Sequence, residues 1–181
     1  MKPTPWLLLA AGLAVAGLLF WRYVPARPAA ADVLAEEVVQ DHVRSLQANH
    51  LLDVASSQRI QPWFAGKLDY TPAVESMPWR GFGLAGGRLD YLSGRAVAAL
   101  VYHRGQHIIN VFVWPSGQPD RVPRSRTADG FHVASWRAYG MDWWAVSDLG
   151  QAELEELALC PCFMPPNRTL RVDYSIRPRV D

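Results

Sequence analysis

The soft donors of this chain sit together: Cys160-Pro161-Cys162 is followed by Met164, and the chain has only 2 cysteines. Thiolate and thioether sulfurs at that density suit Cu(I) or another thiophilic ion, and the same two thiols, when oxidised, make a redox couple. A single CxC supplies fewer ligands than a closed site requires. Two such cysteines also pair with each other or pack as small apolar residues. Cys160, Cys162 and Met164 therefore stand as the metal-site candidate, with redox and packing roles open beside it.

The other chemical patterns are weaker. Gly81-Phe82-Gly83-Leu84-Ala85-Gly86 has the spacing of a dinucleotide-binding GxGxxG. That motif works between a strand and a helix whose N-terminus meets the phosphate. Here Pro78-Trp79-Arg80 precedes and strand-like Arg88 to Leu92 follows, so the glycines read as bending before a strand. Of the 5 histidines, His103 and His107 fall on opposite faces of a hairpin. His42 and His50 lie about 80° apart and two turns distant on one helix. Neither pair converges on one ion, and each reads as a surface or partly buried side chain. The carboxylates are scattered, and no GxSxG elbow is present. Trp136, Tyr139, Trp143 and Trp144 read as core, and any exposed member would mark a docking surface. The expectation is a protein without a catalytic centre, a cofactor or an identified small-molecule substrate.

Elements must position these residues. From Val33 to Leu52, Val33, Leu34, Val38, Val39, Val43, Leu46 and Leu51 recur at helical spacing, with Asp32 placed to cap. A short helix is predicted over Gln61 to Leu68, opening at Pro62. Five segments then read as strands: 88–92, 96–103, 106–114, 131–139 and 141–146. Their short connections predict an antiparallel meander. A final helix over Gln151 to Leu159, capped by Ser147 or Asp148, carries Leu154, Leu157 and Ala158 inward. The hairpin between Ala96 and Trp114 turns on Arg104-Gly105, which pairs Tyr102 with His107 and Leu100 with Ile109. Both faces of that ribbon are apolar, which demands helices on one side and another layer or loop on the other.

Residues Trp6 to Trp21 hold no charge and are bounded by Lys2 and Arg22. As a helix they cover roughly 24 Å, a little short of a hydrocarbon core near 30 Å, and Arg22 snorkels while Trp6, Trp21 and Tyr23 suit the interfaces. A cleaved signal peptide is the rival, but the small residues Ala29 to Ala31 lie far from the apolar run. The segment therefore reads as a retained anchor. The expected organisation is a cytoplasmic tail over 1–5, a transmembrane anchor over 6–24, a Pro/Ala linker over 25–32, an α+β domain over 33–159 and a tail over 160–181. Net charge is +1, so nothing in the overall field argues for nucleic acid.

Four stretches carry a resemblance: 38–57 (VVQDHVRSLQANHLLDVASS), 62–70 (PWFAGKLDY), 81–115 and 141–157 (MDWWAVSDLGQAELEEL). Together they resemble the extracytoplasmic domain of bacterial transmembrane anti-sigma factors of the extracytoplasmic-function type. In such regulators a cytoplasmic helical domain grips the sigma factor and one membrane helix joins it to a domain like this one. Only residues 1–5 precede the apolar segment here, so the resemblance implies the regulatory half without its own sigma-binding domain. It implies a single-pass inner-membrane protein with the domain in the periplasm, bound to a protein partner. The stretch from Cys160 to Asp181 lies outside the match, so the soft-metal or redox reading of Cys160 and Cys162 stands as a separate alternative.

N-terminal sequencing of membrane-extracted protein should return the uncleaved segment. A mature chain beginning at Asp32 would identify it as a signal peptide.

Overall fold

Alternating and doubly apolar stretches between residues 83 and 147 extend as strands because each can bury one or both faces. The structure, a computed structural model, describes residues 29–48, 50–55 and 57–163. The chain divides into units 1–33 and 34–181, and the fold below is that of the second, with α1 starting just before it. The predicted anchor lies outside the described residues, among which no helix is long and apolar enough to cross a membrane.

The elements run α1 (Ala30–Gln47), β1 (Val54–Ala55), α2 (Ser57–Phe64), a single 3₁₀ turn (Pro78–Arg80), β2 (Gly83–Leu92), β3 (Arg95–Arg104), β4 (His107–Pro115), β5 (Arg121–Ala128), β6 (Phe131–Ala138), β7 (Met141–Ser147) and α3 (Gln151–Ala158). The strands form one seven-stranded antiparallel sheet in the order β1-β2-β3-β4-β7-β6-β5. This corrects the simple meander, since the chain leaves β4 for the far edge and returns through β6 to β7. β5 escaped the sequence because RVPRSRTA has no apolar alternation. Its strand is imposed by pairing with β6 across the tight turn Asp129-Gly130.

The β3–β4 hairpin pairs Arg104 with His107, Tyr102 with Ile109, Leu100 with Val111 and Ala98 with Val113. Register thus slips by two residues from the expected one. Gly105, at φ 59°, takes the first central position of the turn and Gln106 the second, a place where glycine fits without strain. A two-residue slip preserves faces, so His103 and His107 stay on opposite sides.

Both faces of the ribbon are covered, and helices serve both. One face carries Ala98, Leu100, Tyr102, Ile109, Val111 and Val113 against Ile60 and Phe64 of α2 and Leu154, Leu157 and Ala158 of α3. The other carries Val97, Ala99, Phe112 and Trp114 against Ala35, Val38 and Val39 of α1. α1 is turned from the face its apolar residues suggest: Val33 and Leu46 are exposed, while Asp41, His42 and Ser45 are buried. The reason is the polar content of the sheet beneath it, where Arg88 and Asn110 are also buried.

Several boundaries shift. α1 begins at Ala30, inside the predicted linker, and ends at Gln47. α2 ends where the predicted helix had its middle, with Pro62 in its last turn. α3 is capped by Gly150 without a side-chain bond, because β7 continues through Ser147. Its hydroxyl donates to the Ile108 carbonyl at 2.7 Å. The core also extends past residue 159, since Cys160 and Phe163 are buried.

Replacing Ile109 by Asp should unfold the domain at room temperature. Burying an unpaired carboxylate costs several kcal/mol, comparable with the whole stability of a small domain. A circular-dichroism melt matching the parent would refute the two-sided packing.

Candidate functional site

Three places gather side chains capable of more than packing. At the first, Cys160 and Cys162 follow α3 and are bonded to each other. The turn that holds them is fixed by Cys160 N–H donating to Leu157 O at 3.1 Å and Phe163 N–H donating to Cys160 O at 2.9 Å. Phe163 is wedged against Trp143 at 4.9 Å and Trp136 at 5.9 Å between ring centres. Those two indoles stack across β6 and β7, 5.8 Å apart and 5° from parallel. Met77 Sδ lies 3.2 Å from Cys162 Sγ. Of the predicted metal ligands, Cys160 and Cys162 are therefore together, and Met164 lies outside the described residues. Met77 is the sulfur that sequence reasoning missed, because Cys162, which it touches, is 85 positions away.

The second place lies between α1 and β2. The Arg88 side chain, 2% exposed, donates to Asp90 Oδ2 at 2.8 Å through Nε and to Asp41 Oδ2 at 3.2 Å through Nη2. Arg44 pairs with Asp41 from outside. Asn110 Nδ2 donates to Ser45 Oγ at 3.1 Å, and that hydroxyl donates to the His42 carbonyl at 2.8 Å. Charges here are matched within the cluster, so its effect is to lock helix to sheet: removing one member of such a buried pair costs about 3–5 kcal/mol. His42 is buried against the edge of Phe131, their rings 5.3 Å apart, where a surface or partly buried side chain was expected. Burial, with the Arg88 cation second, lowers its pKa to about 4. It is held neutral.

The third place is the β5 edge of the sheet, opposite the edge formed by the two-residue β1. β5 is the last strand and carries Arg121, Arg124 and Arg126 with no acidic residue. Arg121 lies opposite Arg137, which Asp142 neutralises at 2.8 Å. Partial burial, then repulsion by Arg137 and Arg124, loosens the hold of Arg121 on its proton, and its buried Nε has no hydrogen-bond partner among the described residues. Val122 on the same strand and Tyr139 in the neighbouring β6–β7 turn are 39% and 52% exposed. Trp136, Trp143 and Trp144 are core as predicted, and Tyr139 is the exposed member.

The remaining patterns resolve as structure. The GxGxxG stretch opens β2, as its context indicated. A side chain at Gly86 would overlap the Val54 carbonyl, so the glycine admits β1 against β2. His107 Nδ1 lies 2.9 Å from Asp148 Oδ1, and His50 pairs with Asp53 at 2.9 Å. Among the described residues no three His, Cys, Asp or Glu side chains gather in a metal-holding group. No family model, no curated protein and no solved structure matches the chain.

The buried neutral His42 gives the domain an acid-sensitive stability. The unfolded chain binds this proton near pH 6.5 and the folded one only near 4, so stability is lost as pH falls through that window, at up to about 1.4 kcal/mol per pH unit. Urea melts from pH 7 to 4 should show the slope. His42→Leu should flatten it, and an unchanged slope would remove His42 as its source.

Proposed function

We propose that this domain is the periplasmic regulatory half of a membrane-anchored protein of the anti-sigma type, acting by holding a protein partner along β5. The resemblance of residues 38–57, 62–70, 81–115 and 141–157 supports the class of regulator. The observation that carries the binding mode is the arginine-bearing edge strand flanked by exposed Val122 and Tyr139.

An edge strand presents backbone donors and acceptors to any extended segment that can align with it. The arginines and Pro123 make this edge selective. Like charge repels a second copy of the same edge, while an acidic extended segment relieves the crowding of Arg121 by Arg124 and Arg137. Tyrosine and arginine are also the side chains that most often carry binding energy at interfaces. A partner held there changes signalling by binding one of its own states more tightly than another.

Cross-linking through a photoreactive residue at Val122 of the full-length protein in native membranes should capture one dominant protein. Changing Arg121 and Arg124 together to Glu should cut that yield about tenfold or more, while the melting temperature stays near that of the parent. The same partner captured at the same yield by the charge-reversed protein would sink the binding mode.

A further inference from the structure

Met77, Cys160 and Cys162 bring three sulfur atoms to one point from two distant segments. Met77 is fully buried, and its backbone is clamped by reciprocal hydrogen bonds with Phe82, each 3.1 Å. Residues 160–163 are clamped in turn by the hydrogen bonds of their own turn and by Phe163 in the core. Cys160 is 2% exposed, whereas Cys162 is half-buried and is the more accessible of the two sulfurs to solvent. Met77 and Cys160 belong to the apolar core on this face of the sheet, and Cys162 packs against it. Sulfur faces sulfur here, Met77 Sδ against Cys162 Sγ at 3.2 Å.

From this we infer that Cys160, Cys162 and Met77 form a three-sulfur site for Cu(I), closed while the disulfide is intact and opened by its reduction. A dithiol donor passes two electrons and two protons to the Cys160–Cys162 bond and leaves as its own disulfide. Cu(I) then displaces both thiol protons to solvent, and Met77 Sδ donates a lone pair with no change in charge. Thiolate and thioether ligands select a soft monovalent ion. Three bonds of roughly 2.3 Å put the sulfurs about 4 Å apart, so Met77 and Cys162, now 3.2 Å apart, need separate only slightly. The larger movement falls on the two cysteines as their bond opens. Prior clamping of Met77 means that the third ligand is in place before the ion arrives. This site is independent of partner binding at β5.

The test uses full-length protein in detergent, reduced without oxygen by a water-soluble phosphine, which takes its oxygen from water and yields both thiols. Cu(I) supplied as its acetonitrile complex is titrated against a chromophoric Cu(I) chelator, and sulfur neighbours are counted by X-ray absorption. The reduced parent and Met164→Leu should each bind one Cu(I) with three sulfur neighbours, and the oxidised parent none. Met77→Leu should show two sulfurs and bind at least about ten times more weakly, a loss already seen when a merely supporting group is removed from a metal site. Thermal melts of the oxidised variants check that each is folded. Selenomethionine-labelled protein carrying both Met141→Leu and Met164→Leu gives a reading without touching Met77, since a selenium neighbour should appear beside copper. Failure of the reduced parent to compete for Cu(I), an unchanged sulfur count in Met77→Leu, or the absence of selenium beside copper would overturn the site.

Discussion

Strands β3 and β4 have no face that tolerates water, and the rest of the domain is arranged to keep them dry. Leu100, Tyr102, Ile109 and Val111 point to one side, Val97, Ala99 and Phe112 to the other, and all are buried. Each face of such a ribbon exposes enough apolar surface to need a covering element, at about 25 cal/mol per Å². The chain meets that demand with α1 on one side and α2, α3 and residues 160–163 on the other. Tyr102 and Tyr70 show how polar atoms are fitted into this scheme. The Tyr102 hydroxyl donates to Glu75 O at 2.7 Å. The Tyr70 hydroxyl donates to Val113 O and accepts from Ala98 N–H, and burial raises its pKa to about 12.

The two coverings differ in kind. The face under α2 and α3 is apolar and aromatic, and small-to-large fit governs it, as where the Phe64 ring fills the space left by Gly87. The face under α1 contains Arg88 and Asn110, so the helix must arrive with Asp41 and Ser45 in register. A buried ion pair adds little net stability over a hydrophobic replacement, yet a helix rotated by one residue would take Asp41 from Arg88, which would keep Asp90 alone, and Ser45 from Asn110. We attribute the setting of α1 to that constraint.

Much of this was legible from spacing. Strands β2 to β4, β6 and β7 and the C-terminal helix show local periodicities that tertiary contacts did not override. The β3–β4 register was misread by two because the turn was placed one residue early, and the side-chain faces survived since the error was even. α1 was read from Val33 and Leu46, but no periodicity can announce that Asp41, His42 and Ser45 face inward, because their partners lie on β2 and β4. β5 and Met77 were invisible for the same reason. One is a strand through its neighbour's hydrogen bonds, and the other joins the sulfur cluster through a contact 85 residues away.

The strand order separates local from distant pairing. β2 to β4 zip through the tight turns Ser93-Gly94 and Gly105-Gln106, and β5 to β7 through Asp129-Gly130 and Tyr139-Gly140. The halves meet where β4 lies beside β7, with Asn110 opposite Val146 and Pro115 opposite Met141, and Ser116 N–H adds a bond to Gly140 O at 2.7 Å. Hairpins of this kind form in roughly 1–10 μs, whereas joining them must first overcome the entropy of closing the intervening chain. Pairing β4 with β7 therefore carries a closure cost that the tight hairpins do not. Until it closes, the portion β1 to β4 and the portion β5 to β7 each present an unpaired strand edge, β4 in one and β7 in the other, whose backbone donors and acceptors have only water as partners.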